Sequence, residues 1–141
     1  MLSSIVVGTD GSATAEEAVR HAAELARRFD ATLHIVCAYT PVATKVHATS
    51  PEAGEWNVGS DLIGEEVLSR ATSLAGDASC LTHARTGDPA DAIMQVAEDE
   101  NADAIVVGNK GMQGARRFVL GSVPNKVSHH ASCNVYIVRT S

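Results

Sequence analysis

The sequence predicts an α/β fold, a parallel β-sheet with helices on both faces. Three observations carry that prediction. Short, largely apolar runs at residues 5–7, 33–38, 104–107 and 135–138 read as strands, and the unbroken run 104–107 has the look of one buried on both faces. The longer stretches between strands repeat apolar residues every three or four positions, as amphipathic helices do. The two kinds alternate along the chain as βαβαβαβαβ, and strands separated by helices pair in parallel through right-handed crossovers.

Each element can be justified in turn. Ile5-Val6-Val7 runs into Gly8-Thr9-Asp10-Gly11-Ser12, a strand followed by turn residues. Residues 13–29 follow as a helix with Ala18, Ala22, Leu25, Ala26 and Phe29 on its apolar face. Residues 33–38 form the second strand. Residues 40–60 hold Pro41, Pro51, Gly54 and Gly59 and show no clear period, which predicts a loop or lid. Trp56 within it either packs or covers a ligand. Ile63, Val67, Ala71 and Leu74 mark a helix ending near Gly76. Residues 80–85 alternate apolar and polar, as an edge or half-exposed strand does. Gly87-Asp88-Pro89 turns into a helix whose inward face is Ala90, Ile93, Met94 and Ala97. A short helix over residues 123–131 precedes the last strand.

At 141 residues the chain suits a single domain, 1–141, with a sizeable core. No apolar run approaches the length of a membrane span, and no N-terminal signal peptide is visible. Cys37, Cys80 and Cys133 are odd in number and widely spaced, forming neither a zinc motif nor a disulfide framework. A reducing cytoplasm is the compartment expected. The net charge of −6 argues against general nucleic-acid binding. Residues 1–103 hold all 17 acids against 6 Lys or Arg. Residues 104–141 hold no acid and five bases: Lys110, Arg116, Arg117, Lys126 and Arg139. A positive segment on an acidic chain suits a small anionic ligand, although any one of these side chains also reads as solvated surface.

The most informative stretch is residues 104–127, AIVVGNKGMQGARRFVLGSVPNKV. A buried strand stops at Gly108. Glycines follow, then two arginines, then Gly121-Ser122-Val123-Pro124. Serine is a good helix N-cap and proline is tolerated in a first turn, so Ser122 is expected to begin a helix. Glycines let backbone amides approach an anion, and a helix N-terminus adds donors and partial positive charge. The same glycines also serve tight turns alone. No Walker A lysine and no GxGxxG pattern is present. In such sheets ligands bind beyond the carboxyl ends of the strands, where the winding reverses. A crevice between strands 1 and 4 would set Asp10 opposite Gly108, Gly111 and Ser122. Asp10 would then accept a hydrogen bond from a ribose hydroxyl, help hold a metal ion, or cap its own turn.

The spacing Gly108, two residues, Gly111, nine residues, Gly121-Ser122 resembles that of the universal stress protein family, in particular its ATP-binding subclass. VVGTDGS, GDPADAI, DAIVVGNKG, LGSVPNKV and the final VYIV resemble family elements in their expected order, so the resemblance spans nearly the whole chain. It implies a flavodoxin-like, Rossmann-like three-layer sandwich with a five-stranded parallel sheet of order 3-2-1-4-5. It also implies a dimeric sensor or switch in stress response that binds ATP, with Mg2+ or Mn2+ on the phosphates. By that resemblance Asp10 lies near the ribose with Thr9 beside it, and the backbone of Cys37 and Ala38 meets adenine. Val107 and Gly108 lead into a cradle of Asn109, Lys110 and Gly111. Gly121, Ser122 and Val123 contact phosphate, with Asn125 a further candidate. Family members pair through the last strand, which implies an antiparallel homodimer through Val135, Tyr136, Ile137 and Val138. An unguarded apolar edge strand points the same way.

The six histidines show no HxxxH or His-Cys cluster, so no structural metal is expected. No Ser-His-Asp arrangement, nucleophile elbow or paired-carboxylate signature can be placed, which predicts slow or absent ATP hydrolysis. Three rivals stand beside ATP: cyclic AMP as the ligand, a structural dimer module with an empty loop, and a flavodoxin-type electron carrier. The acid in the first loop and the few aromatics speak against the last. The stress and the client protein are not written in these residues.

Overall fold

The computed structural model describes residues 2–39, 51–110 and 120–140, with residues 51–62 described by their backbone alone. Its elements are β1 (Ser4–Gly8), α1 (Ala13–Phe29), β2 (Thr32–Tyr39), α2 (Pro51–Ala75), β3 (Cys80–Thr86), α3 (Pro89–Asp99), β4 (Ala104–Gly108), α4 (Ser122–His130) and β5 (Asn134–Val138). The strands form one sheet of order β3-β2-β1-β4-β5 with every neighbour parallel. This is the flavodoxin-like order that the resemblance implies.

The two-residue period of a strand divides each apolar run between two layers. Ile5, Val7, Leu33, Ile35, Cys37 and Val106 face α1 and α2. Val6, Val36, Ile105 and Val107 face α3 and α4. Both faces are covered, which is why the central strands read as continuous apolar runs rather than alternations. On α1 the buried side is mostly alanine (Ala15, Ala18, Ala22, Ala23, Ala26), so the helix can lie close to the sheet. Glu16 is also buried on that side, and Arg70 of α2 answers its charge. Ser12 caps α1 by accepting from the Ala15 amide at 3.3 Å, and Asp88 caps α3 by accepting from the Asp91 amide at 3.0 Å.

Three expectations need correction. Residues 51–60, expected as loop, belong to α2. Proline is at ease at a helix start, and each internal glycine costs only about 1 kcal/mol against alanine. The anchoring comes later in the helix, where Leu68, Ala71 and Ala75 are buried. Residues 40–50 lie outside the described residues. Phe29, assigned inward, is 45% exposed at the last turn of α1, beyond the alanines that touch the sheet. The cap of α4 is Gly121, not Ser122, which is the first helical residue.

Candidate functional site

Strand β1 has β2 on one side and β4 on the other, so the winding reverses between β1 and β4. Val7 lies opposite Val106, and the two strands leave the sheet side by side through Gly8 and Gly108. A narrow cleft, partly open to solvent, lies at this exit, lined by Gly8, Thr14, Ala15, Val107, Gly108, Val123 and Pro124. The starts of α1 and α4 thus both reach it. Gly108 is close-set: a Cβ there would meet Thr140 Cγ2 at 3.3 Å and the Thr14 carbonyl oxygen at 3.5 Å.

The loop after β1 is tightly built. The buried Thr9 donates its amide to the Val36 carbonyl at 2.9 Å, and its hydroxyl accepts from the Gly11 amide at 3.1 Å. Asp10 is exposed, and its Oδ1 accepts from the Ser12 amide at 2.9 Å. The turn-capping role considered for Asp10 is therefore real. It uses Oδ1, and Oδ2 has no partner among the described residues. Gly11 takes φ +86°, a conformation that suits glycine. Across β1, Cys37 is buried near the end of β2, where burial and the nearby negative charge of Asp10 push its thiol up. It stays a neutral packing group. Ala38 is half-buried beside it.

The exit of β4 is stapled by Asn109. Its amide donates to Val138 at 2.8 Å, and its carbonyl accepts from Gly121 at 3.0 Å. Its Oδ1 accepts from the Thr140 amide at 3.0 Å and the Thr140 hydroxyl at 2.8 Å. Asn109 therefore holds β4, the start of α4 and the chain after β5 together. Lys110 follows it, half-buried. Gly111 lies outside the described residues, as do Gly114, Arg116 and Arg117.

The start of α4 differs from those of α1 and α3. Both of those have a side-chain cap and an acid in the first turn, Glu16 and Asp91. Helix α4 has neither. The Asn125 amide bonds the Gly121 carbonyl at 2.9 Å, and Pro124 has no N–H. The amides of Ser122 and Val123 are left without an acceptor among the described residues. Two free donors and the positive end of a helix dipole favour an anion at this point. Gly121 and Val123 are buried, while Ser122 and Asn125 are exposed.

The structure brings Thr9, Asp10, Val107, Gly108, Asn109, Lys110, Gly121, Ser122 and Val123 to the β1 and β4 exits, with Cys37 and Ala38 one strand away. It also moves one cation elsewhere. Lys126 Nζ lies 3.2 Å from Asp88 and 3.0 Å from Asp91, so it serves the start of α3. The Asp91 amide, with help from Lys126, holds the Asp88 carboxyl below its ordinary value. Sequence reasoning missed Gly8, Thr14, Ala15, Pro124 and Thr140. Gly8 had a signal, since it ends an apolar run as Gly108 does. The threonines had none, because packing alone brings them in. At the sheet edge, Tyr136 and Ile137 are 46% and 39% exposed, and Val135 is half-buried. Val138 instead sits in the core layer with α1.

In comparisons with known proteins, the universal stress protein family matches residues 1–139. Universal stress protein Rv1636 of Mycobacterium tuberculosis is 37% identical over 141 residues, covering 97% of this chain and 96% of that protein. Universal stress protein MJ0531 of Methanocaldococcus jannaschii is 34% identical over 140 residues, covering 96% and 81%. Among solved structures, a universal stress protein in complex with cAMP is similar at TM-score 0.73 and 31% identity, covering 99% of this chain and 98% of that one. Universal stress protein UspA from Lactobacillus plantarum is similar at TM-score 0.83 and 25% identity, covering 98% of both chains.

Proposed function

The chain belongs to the universal stress protein family, and from that premise we propose that it binds an adenine nucleotide, ATP, at the β1–β4 exit and acts as a dimeric sensor or switch. The observation that carries the proposal is the uncapped start of α4 beside Gly108. The amides of Ser122 and Val123, without an acceptor among the described residues, suit a phosphate tail. Lys110 and Gly111 extend the cradle, and Mg2+ or Mn2+ accompanies the phosphates. Oδ2 of Asp10, without a partner among the described residues, suits a ribose hydroxyl, and the backbone at Cys37 and Ala38 suits the adenine edge. Turnover is expected below about 1 s⁻¹, the lower range of dedicated phosphoryl-transfer enzymes.

Calorimetry with ATP, ADP and cAMP, with and without Mg2+, tests the reading on the wild type and Gly111→Val. A single saturable site, lost in a folded valine variant, is the supporting result. Wild-type protein that binds none of the three nucleotides would end it. Cyclic AMP is the second reading, favoured by the cAMP complex of a structural neighbour at 31% identity. Competition between the two nucleotides separates them.

The dimer rests on β5, an edge strand with Tyr136 and Ile137 exposed. Edge strands of this kind pair. Sedimentation should give a dimer for the wild type and a folded monomer for Ile137→Lys. A wild type that stays monomeric at micromolar concentration would count against the pairing.

A further inference from the structure

We propose that His34, His83 and Glu100 form a binding site for a divalent transition metal ion, Zn2+ above others, separate from the nucleotide crevice. The three residues come from β2, β3 and the end of α3. In the β2–β3 register His34 lies opposite Leu81 and His83 opposite Val36, so the two histidines are two positions apart on one face of the sheet. Their rings meet, with His34 Nδ1 3.0 Å from His83 Nε2. Glu100 follows α3 and donates its amide back to Val96 at 2.9 Å. One ligand atom from each of the three lies within 4.8 Å of the others. Helix α3 runs back across the sheet, so its end lies toward the amino ends of the strands, away from the β1–β4 exit.

The geometry is close to what an ion asks. Zinc–nitrogen bonds of about 2.0–2.1 Å in a tetrahedral site put two ligand nitrogens about 3.3 Å apart. The two rings need to open by only about 0.3 Å. One carboxylate oxygen of Glu100 lies within 4.8 Å of a ring nitrogen of each histidine and has to move inward to ligate. Two imidazoles and one carboxylate leave a fourth position for water, the donor set of an open zinc site. Imidazole ligands favour Zn2+, Cu2+ or Ni2+ over the Mg2+ that accompanies phosphates. The negative end of the α3 dipole also favours a cation.

The chemistry balances simply. Without metal, one ring donates the proton that the two facing nitrogens share. On binding, the donating ring takes its other tautomer, its proton passing by way of solvent to the far ring nitrogen, and each facing nitrogen then offers its lone pair. Burial holds both imidazoles below their ordinary value, and the Glu100 charge opposes this in each. The neutral imidazole is the form that ligates. The other charges near His83 are Arg85 and Asp99, which pair with each other at 3.7 Å. His34 is 4% exposed in a strand whose other inward residues are apolar. A buried imidazole there needs polar partners, and it has them in His83 and, through the ion, Glu100.

The test uses nucleotide-free full-length protein stripped with chelator. It is titrated with ZnCl2 by calorimetry and with CoCl2 by visible absorption, which reports tetrahedral coordination. The wild type should bind one ion per chain. His83→Gln and Glu100→Gln should each weaken binding by about tenfold or more, since losing a ligand costs at least what losing its outer partner does. His129→Gln/His130→Gln, which removes the exposed pair at the end of α4, should bind as the wild type does. Melting curves in chelator check that each variant is folded. If His83→Gln does not fold, Glu100→Gln at the helix end gives the answer alone. A wild type without saturable zinc binding, zinc binding unchanged in Glu100→Gln, or zinc binding lost in the α4 variant would each overturn the site.

Discussion

Ser122→Asp should strengthen the fold and weaken the ligand together. Ser122 is the first residue of α4, exposed, in a first turn without acids or side-chain cap. A carboxylate there meets the positive end of the helix dipole, a gain of about 0.3–1 kcal/mol. For a chain of this size that is a rise in Tm of about 1–4 °C. The same carboxylate faces the proposed phosphate tail. Two like charges about 4 Å apart repel by about 1 kcal/mol in water and about 4 kcal/mol at an effective dielectric of 20. Exposure places this pair toward the low end, and losing a hydroxyl contact adds about 1 kcal/mol. A total of about 2–3 kcal/mol is a loss of ATP affinity of about 30- to 150-fold. Scanning calorimetry and titration on one preparation read both effects. Ser122→Ala isolates the hydroxyl and should lose less than about tenfold. Cyclic AMP, with a single phosphate charge, should lose less than ATP. If Ser122→Asp melts at or above the wild-type temperature and still binds nucleotide at full affinity, the phosphate does not lie on α4.

Three further predictions concern the frame around the site. The buried Ser4 hydroxyl has no hydrogen-bond partner among the described residues, so Ser4→Ala should leave stability unchanged or raise it by up to about 1 kcal/mol in urea unfolding. Gly11→Ala should destabilise more than Gly87→Ala. Both sit at positive φ and lose about 1 kcal/mol on that account, but only at Gly11 does the new Cβ press on Val67 Cγ2, at 3.0 Å. Equal losses would show that the Val67 contact relaxes freely. Asp103 accepts from the Ser3 amide, the Ser3 hydroxyl and the Ser4 amide, and these bonds hold its carboxyl below the ordinary value. A folded-state pKa below the unfolded one stabilises above the unfolded value and is lost as pH falls through the folded one. Asp103→Asn should therefore be less stable than the wild type at neutral pH, with the gap closing in acid. A gap that persists unchanged at pH 2 would point to packing instead.

Much of the frame could be read from residue spacing. The apolar runs that form β1, β2, β4 and β5 were each legible to within one residue at either end, because a run of largely apolar residues marks a strand without reference to its partners. Helix α1 spans residues 13–29 as expected, between Ser12 and an Asp30 in the left-handed conformation that ends helices. Residues 51–60 were illegible because Pro51, Gly54 and Gly59 are ordinary loop residues, and only the later anchoring of α2 makes them helical. Phe29 failed for a related reason. A helix period says which residues share a face, but not where along that face the sheet ends.

At the site, the sequence by itself determined that glycine-ended strands run into helices, and that Gly121-Ser122-Val123-Pro124 opens the last of them. These are local properties of backbone and turn chemistry. Only the tertiary structure decided that Asn109 staples three segments, that Lys126 turns away to Asp88 and Asp91, and that Ser122 and Val123 keep their amides without an acceptor among the described residues. It alone brought His34 to His83, 49 positions apart in the chain. Whether a donor, a cation or an imidazole is already engaged depends on partners delivered by other strands and helices. Spacing along one strand or one helix says nothing about those partners, because they are set by sheet order and register.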